Sequence, residues 1–211
     1  MPVEPLKCKI CRRLGEKLFI KGERCYSPKC AMVRRPYAPG QRGKRRRQQL
    51  SEYAKELREK QKLRYWYNLQ EKQLKNYVKS VLTKRAKHQD AASALIKLLE
   101  SRLDNTVLKM GYSLSRDKAR QLVSHGYFVV NDKPMNLPSY QVKKGDVITL
   151  KPSKTNKKIM DEFQNLLKKY KSPSWIQFDN KKMQGKIVGI PNLEEAGVPV
   201  EMASVFEFYS K

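Results

Sequence analysis

Residues 95–150 read LIKLLESRLDNTVLKMGYSLSRDKARQLVSHGYFVVNDKPMNLPSYQVKKGDVITL, and the fold turns on this stretch. Leu95, Leu98, Leu99, Leu103, Val107 and Met110 recur at steps of three and four, which predicts one helix with a single apolar face. Gly111 follows, where a left-handed cap is best made without a Cβ. A shorter helix is predicted next, with Ser115 as its N-cap and Asp117 in its first turn, where the dipole favours an anion. Ala119, Leu122 and Val123 form its apolar face, and Gly126 ends it. Tyr127 to Val130 then read as a strand, and Asn131-Asp132 with Pro134 as a turn. Met135 to Leu137 read as the return strand, and Lys144-Gly145-Asp146 as a second turn before a strand from Val147 to Leu150.

The polar residues here are mostly of one sign. Arg116, Lys118, Arg120, His125, Lys133, Lys143 and Lys144 lie on or beside the short helix and hairpin, and side by side they would form a basic surface. The ordering resembles the RNA-binding module named after the fourth small-subunit ribosomal protein. Glu100 to Asn105, Arg116 to His125, Val130-Asn131 and Ser139 to Val142 carry the resemblance. Several RNA-binding families share this module, so the rest of the chain decides among them.

The chain has 211 residues, enough for one or two domains, and its 46 Lys and Arg against 20 Asp and Glu give a net charge of +26. Self-repulsion at that level opposes a compact state, and a polyanion relieves it; nucleic acid is the natural partner. A membrane surface is the rival, but no apolar run approaches the roughly 20 residues that span a bilayer. MPVEPLKCKI has no apolar core of a secretory signal. The expectation is a reducing compartment, where cysteines serve as metal ligands more often than as disulfides.

Cys8, Cys11, Cys25 and Cys30 form two close pairs separated by a short loop, the pattern of tetrahedral thiolate ligation. Sulfur-only ligation suits zinc or, alternatively, an iron–sulfur cluster, and the role expected is structural. Around the ligands stand Arg12, Arg13, Arg34 and Arg35. Pro36 to Gly43 is rich in chain breakers and leads through Arg42 into Lys44, Arg45, Arg46 and Arg47, an extended basic arm suited to phosphate contact. Tyr37 is a candidate for stacking on an unpaired base.

A helix is predicted from Ser51, its N-cap, with Leu50, Tyr53, Leu57, Leu63, Trp66 and Tyr67 as apolar positions. The charges of Arg58 to Arg64 are expected mostly on an exposed face, with Arg58, Lys62 and Arg64 as RNA contacts. A further helix runs from Leu69 to about Leu82, and Lys84 to Asp90 is a polar break. Beyond the module, Ile159, Phe163, Leu166, Leu167 and Tyr170 form an amphipathic helix, and Trp175 to Phe178 a strand. Gly185 to Ile190 is a weaker strand, whose glycines point to a bulge or a bend. Asn192 and Glu195 have capping-box spacing, and Val205 to Lys211 forms a packed tail.

Taken together, the four-cysteine knuckle, Pro36 to Gly43, Leu57 to Arg64, the module and the terminal Glu207 to Lys211 resemble the bacterial-type family of the fourth small-subunit ribosomal protein. The resemblance covers nearly the whole chain and is poorest from Asn192 to Met202. It implies an α+β fold: a helical domain that carries both chain ends, with the mixed α/β RNA-binding module inserted, and the metal knuckle and basic arm in front. The corresponding division is residues 1–47, residues 48–97 with 193–211, and residues 98–192 around a core of 100–150. The resemblance also implies a cytoplasmic, ribosome-bound protein that binds 16S ribosomal RNA early in assembly. Its implied neighbours are the fifth small-subunit protein and the messenger RNA where it enters the subunit, a place tied to translational accuracy. Some members repress their own messenger.

Two rivals come from other classes. Pseudouridine synthases carry the same module, and Arg102-Leu103-Asp104 brushes against their catalytic signature, with Asp104 as nucleophile. That fold needs a large extra sheet, and the residues outside the module here read as a knuckle and helices. The two histidines, His88 and His125, have no evident acidic partner, so a histidine-based general base has no support. A zinc-finger DNA regulator is the second rival, and the Cys–His spacing of such fingers is missing from the sequence.

Overall fold

The computed structural model describes residues 7–41, 49–83, 88–154, 157–167, 170–180, 182–189, 191 and 193–210. The chain divides into two units, Met1–Lys84 with Val198–Lys211, and Arg85–Gly197.

In the first unit, α1 (Lys7–Leu14), α2 (Glu23–Tyr26) and α3 (Ala31–Arg34) are short, and residues 35–41 form neither helix nor strand. Ile10, Cys11, Leu14 and Leu18 make a small core, against which Ile20, Met32, Tyr65 and Trp66 pack. The expected helix from Ser51 is α4 (Glu52–Trp66), and the Ser51 side chain accepts from the Ala54 amide. It is followed by α5 (Glu71–Thr83), which buries Leu74, Val78 and Val81. The apolar tail, expected only to be packed, is a helix, α11 (Met202–Ser210), numbered last in the chain. It lies against α4 and α5 and buries Met202, Val205 and Phe206.

The second unit differs from the sequence reading at its start. The periodic face of Leu95 to Met110 is split between α6 (His88–Glu100) and α7 (Leu103–Lys109). The reason lies in residues 138–142. Their carbonyls take the first amides of α7, Leu103 N–H donating to Tyr140 O at 2.8 Å and Asp104 N–H to Pro138 O at 3.2 Å. The Val142 amide donates to Ser101 O at 2.8 Å, so the chain at Ser101-Arg102 pairs sideways and the helix restarts. The Gln141 side chain also donates to Leu98 O at the end of α6, and α6 packs on α10 (Leu193–Ala196). These contacts group α6 with the second unit, whereas the sequence division ended the helical domain at residue 97.

Next come α8 (Arg116–Ser124), β1 (Phe128–Val130), β2 (Lys133–Met135) and β3 (Val147–Leu150). Asn131 and Asp132 both have positive φ, 47° and 63°, as a two-residue primed turn requires. That tight turn pulls the return strand two residues earlier than the sequence reading placed it and seats Pro134 on the sheet edge, where no ladder amide is needed. Then α9 (Lys157–Leu167), β4 (Ile176–Asp179) and β5 (Gln184–Ile187) complete a five-stranded antiparallel sheet in the order β2-β1-β3-β5-β4.

The core of this unit joins Leu103 and Val107 of α7, its C-cap Met110, and Ala119 and Val123 of α8, to Phe128, Ile148, Ile176 and Ile187 of the sheet. Tyr112 sits at its centre, edge-on to Phe128, Phe163 and Phe178, and its hydroxyl donates to Met183 O at 2.7 Å. Gly111 has φ 92° and lies under the Tyr170 ring, so it serves both as helix cap and as close contact. Gly185 marks no bulge: it pairs in register with Ile148 and Phe178. It is a close approach, because a Cβ there would collide with Met110 Cε.

Candidate nucleic-acid interface

In the second unit, α8 carries the basic residues that the sequence singled out. Ser115 accepts from the Lys118 amide at 3.3 Å and starts the helix. Ala119 and Val123 are fully buried, which fixes the helix's rotation and leaves Arg116, Lys118 and Arg120 half-exposed around that buried side. His125 at the C-terminus and Lys133 on the edge strand are exposed. The structure thus gathers five of the predicted RNA-contact residues on α8, its C-cap and the following hairpin. Arg116 has a second attachment. Its Nε donates to Asn105 Oδ1 at 3.2 Å, and the Asn105 amide donates to the fully buried Glu100 carboxylate at 2.7 Å. This support was missed by the sequence reading, since Asn105 and Arg116 lie on different helices and only the fold brings them together.

Lys143 and Lys144 join Lys97 around a cavity of about 210 Å³ floored by Val142, Trp175 and Ile187. The turn that carries them is held by Asp146, which accepts from the Lys143 amide and from Asn131 Nδ2, both at 2.8 Å.

In the first unit, the four cysteines are brought together: Cys8, Cys11, Cys25 and Cys30 line one small pocket with Ile20, Lys21 and Met32. All four are free thiols. The Lys21 amide donates to Cys25 Sγ at 3.4 Å. Burial, and behind it the neighbouring sulfurs, push the Cys11 and Cys25 thiols up, against the hydrogen bonds they accept from the backbone. Among the described residues, no three His, Cys, Asp or Glu side chains stand close enough to hold a metal ion in the geometry present. The donor set itself, four soft sulfurs facing one pocket with a backbone N–H aimed at one of them, fits a thiophilic metal.

Arg13, Arg34 and Arg35 are exposed on this segment. Arg12 and Tyr37 are engaged with each other. The Arg12 guanidinium lies 5.0 Å from the Tyr37 ring centroid, and its Nε donates to Arg35 O at 3.0 Å and Tyr37 O at 2.9 Å. This pair clasps the chain after α3 to α1. Arg42, Lys44, Arg45, Arg46 and Arg47 lie outside the described residues.

The expectation for Arg58 to Arg64 needs correction. Glu56, Lys60 and Lys62 are buried. Lys62 Nζ pairs with Glu16 at 2.6 Å and Glu59 at 2.7 Å. Burial works against its charge, but these two carboxylates win and hold its pKa above the ordinary lysine value. Arg58 donates through Nε and Nη2 to Leu14 O. Arg64 reaches Glu71 at 3.4 Å and lies over the Tyr65 ring. Hydrogen-bond valence explains the change: these cations satisfy a helix-end carbonyl and nearby carboxylates, so they hold α4 in place and do not face solvent as a row.

Comparison with known proteins agrees with this anatomy. Residues 5–100 match the family model for the ribosomal protein S4/S9 N-terminal domain, and residues 101–148 match that for the S4 domain. Small ribosomal subunit protein uS4 of Solidesulfovibrio magneticus is 44% identical over 207 residues, covering 97% of each chain. The uS4 protein of Thermus thermophilus is 45% identical over 204 residues, covering 97% of this chain and 96% of its own. That of Kosmotoga olearia is likewise 45% identical over 204 residues. With both family models in sequence order and near-complete coverage, the chain belongs to the uS4 family of small ribosomal subunit proteins.

Proposed function

We propose that this chain is a structural constituent of the small ribosomal subunit and binds 16S ribosomal RNA directly, early in assembly of the subunit body. The observation that carries this is α8: Ala119 and Val123 sink one side in the core, Arg116, Lys118 and Arg120 stand half-exposed around that buried side, and His125 and Lys133 are exposed beside it. The first unit holds 25 Lys and Arg against 9 Asp and Glu, and the second 21 against 11, so both units carry the excess charge a polyanion would neutralise. The fifth small-subunit protein, and messenger RNA where it enters the subunit, are the neighbours in this reading, which makes the protein cytoplasmic and ribosome-bound. A non-enzymatic role is supported by the Asp104 carboxylate, which is taken up by Arg102 and its own helix start.

Changing Arg116, Lys118 and Arg120 to Gln should weaken binding to 16S ribosomal RNA and flatten the slope of log affinity against log salt by about 0.7–0.9 for each phosphate no longer neutralised. Circular dichroism should stay unchanged, because Ala119 and Val123 carry the helix. Unchanged affinity with an intact fold would assign α8 to a protein neighbour or to solvent. Co-sedimentation of the tagged chain with small subunits checks the assignment as a whole.

The same reading makes Cys8, Cys11, Cys25 and Cys30 the ligands of one structural centre, zinc or alternatively an iron–sulfur cluster, which would stabilise a segment whose own core is only four residues. Elemental analysis of purified protein should find about one zinc, or the few irons of one cluster, per chain. Finding neither removes the centre. Cys25→Ser should loosen α1 to α3 and leave α4 and α5 folded, because α11 packs on α4 and α5 buries Leu74, Val78 and Val81.

A further inference from the structure

Tyr26, at the end of α2, is 66% exposed, the most exposed large apolar side chain among the described residues. It is not loose. Its ring lies against Phe19, with centroids 5.0 Å apart and planes 30° from parallel. Phe19 is held in the left-handed backbone region, φ 50°, an uncommon and costly place for an aromatic residue. The outcome is a supported ring that is still largely open to solvent.

The surroundings say what fits there. Lys17, Lys21, Arg24 and Lys29 all lie within nine residues of Tyr26 in the chain, and the acid among them is Glu23. Residues 7–41 as a whole hold ten Lys and Arg against two Glu. The cores of protein–protein interfaces are depleted in charged residues, lysine among them. An exposed aromatic ring among cations is instead the composition of a site for single-stranded nucleic acid, where the base stacks on the ring and the cations follow the backbone. Phe19 contributes by restricting the tyrosine rotor before a base arrives, so less freedom is given up on stacking. Tyr37, the aromatic residue that the sequence favoured for this role, already has Arg12 over its ring.

We propose that the Phe19–Tyr26 pair is a stacking platform for one unpaired base of the RNA bound by this protein. The proposal rests on the RNA-binding reading above and adds to it a contact that is aromatic, not electrostatic. That difference gives the test. Stacking on one ring is worth about five- to a hundred-fold in affinity and releases no counterions. Full-length wild type, Tyr26→Leu and Tyr26→Trp are titrated against transcribed 16S ribosomal RNA at several salt concentrations. Leucine keeps the apolar contact with Phe19 but has no π face; tryptophan keeps the face. Tyr26→Leu should bind about five- to a hundred-fold more weakly with an unchanged salt slope, and Tyr26→Trp should bind about as tightly as wild type. Wild-type affinity in Tyr26→Leu overturns the platform, as does a tryptophan variant as weak as leucine. A flattened slope also overturns it, since that places Tyr26 among the phosphate-binding residues. A wild-type chain that did not bind this RNA would overturn the RNA-binding reading itself, an outcome plainly separate from the others.

Discussion

A carboxylate 6% exposed needs compensation, and Asp104 finds it in two bonds from Arg102, Nε to Oδ1 at 3.1 Å and Nη2 to Oδ2 at 2.7 Å. Arg102 is 1% exposed, so removing either ion leaves a buried charge without its opposite charge. Asp104→Ala should therefore destabilise the second unit by about 3–5 kcal/mol. Replacing both residues with apolar side chains of similar volume should restore much of that stability. Urea unfolding followed by Trp175 fluorescence, in a Trp66→Phe background, measures both. An accessible, weakly stabilising Asp104 would instead show a change below about 1 kcal/mol. At this scale the sequence was least legible. Arg102, Lys62 and Arg116 look alike as cations in a sequence, yet one is buried in the module core, one is sandwiched between two glutamates, and one is braced by an asparagine. What separates them is which carboxylate the fold brings near. Only Asp104, two residues from Arg102, and Glu59, three from Lys62, were close enough in sequence to notice.

At the scale of elements, one glutamate reinforces the apolar docking of α11. Glu71 of α5 accepts from Lys60 Nζ at 2.7 Å and from the Tyr209 hydroxyl at 2.9 Å, and Lys60 also lies 4.4 Å from the Phe208 ring centroid. Partial burial opposes the charge of Glu71. The hydrogen bonds from Lys60 and Tyr209, and the positive charge of Lys60 and Arg64, outweigh it and hold the carboxyl below its ordinary value of 4.5. A lowered folded pKa stabilises at pH above the unfolded value and stops doing so as the pH falls through the folded one. Docking of α11 should thus be steady above about pH 5 and weaken progressively below about 4.5. Hydrogen exchange of the α11 amides reads this directly, and Glu71→Gln should remove the acid-side step while weakening docking at neutral pH. The elements themselves were largely legible where caps and periodicity agree: Ser51 and Ser115 cap α4 and α8 as expected. They were illegible where tertiary hydrogen bonds override periodicity, as at the α6–α7 break. The α11 helix was legible too, since Met202, Val205, Phe206 and Tyr209 recur at helical spacing, but the apolar tail was read only as packed.

For the molecule as a whole, the net charge of +26 acts in opposite directions on the free protein and on its complex. In the free chain, salt screens repulsion among cations that no partner neutralises, and the Debye length shrinks to about 10 Å near 0.1 M. The buried pair Arg102–Asp104 is shielded from that screening and weakens little, and the buried Lys62 end partly shields its pairs with Glu16 and Glu59. Stability of the free protein should therefore rise between about 50 and 200 mM salt, read as a higher Tm in both units. Over the same range the affinity for 16S ribosomal RNA should fall, by about 10³–10⁵-fold if six to ten phosphates are neutralised. Opposite signs in the two measurements are the signature of charge held for a polyanion. A free protein that loses stability as salt rises would mean that the surface cations are internally paired. The interface would then have to rest on shape and stacking, and the slope of RNA affinity against salt would be correspondingly shallow.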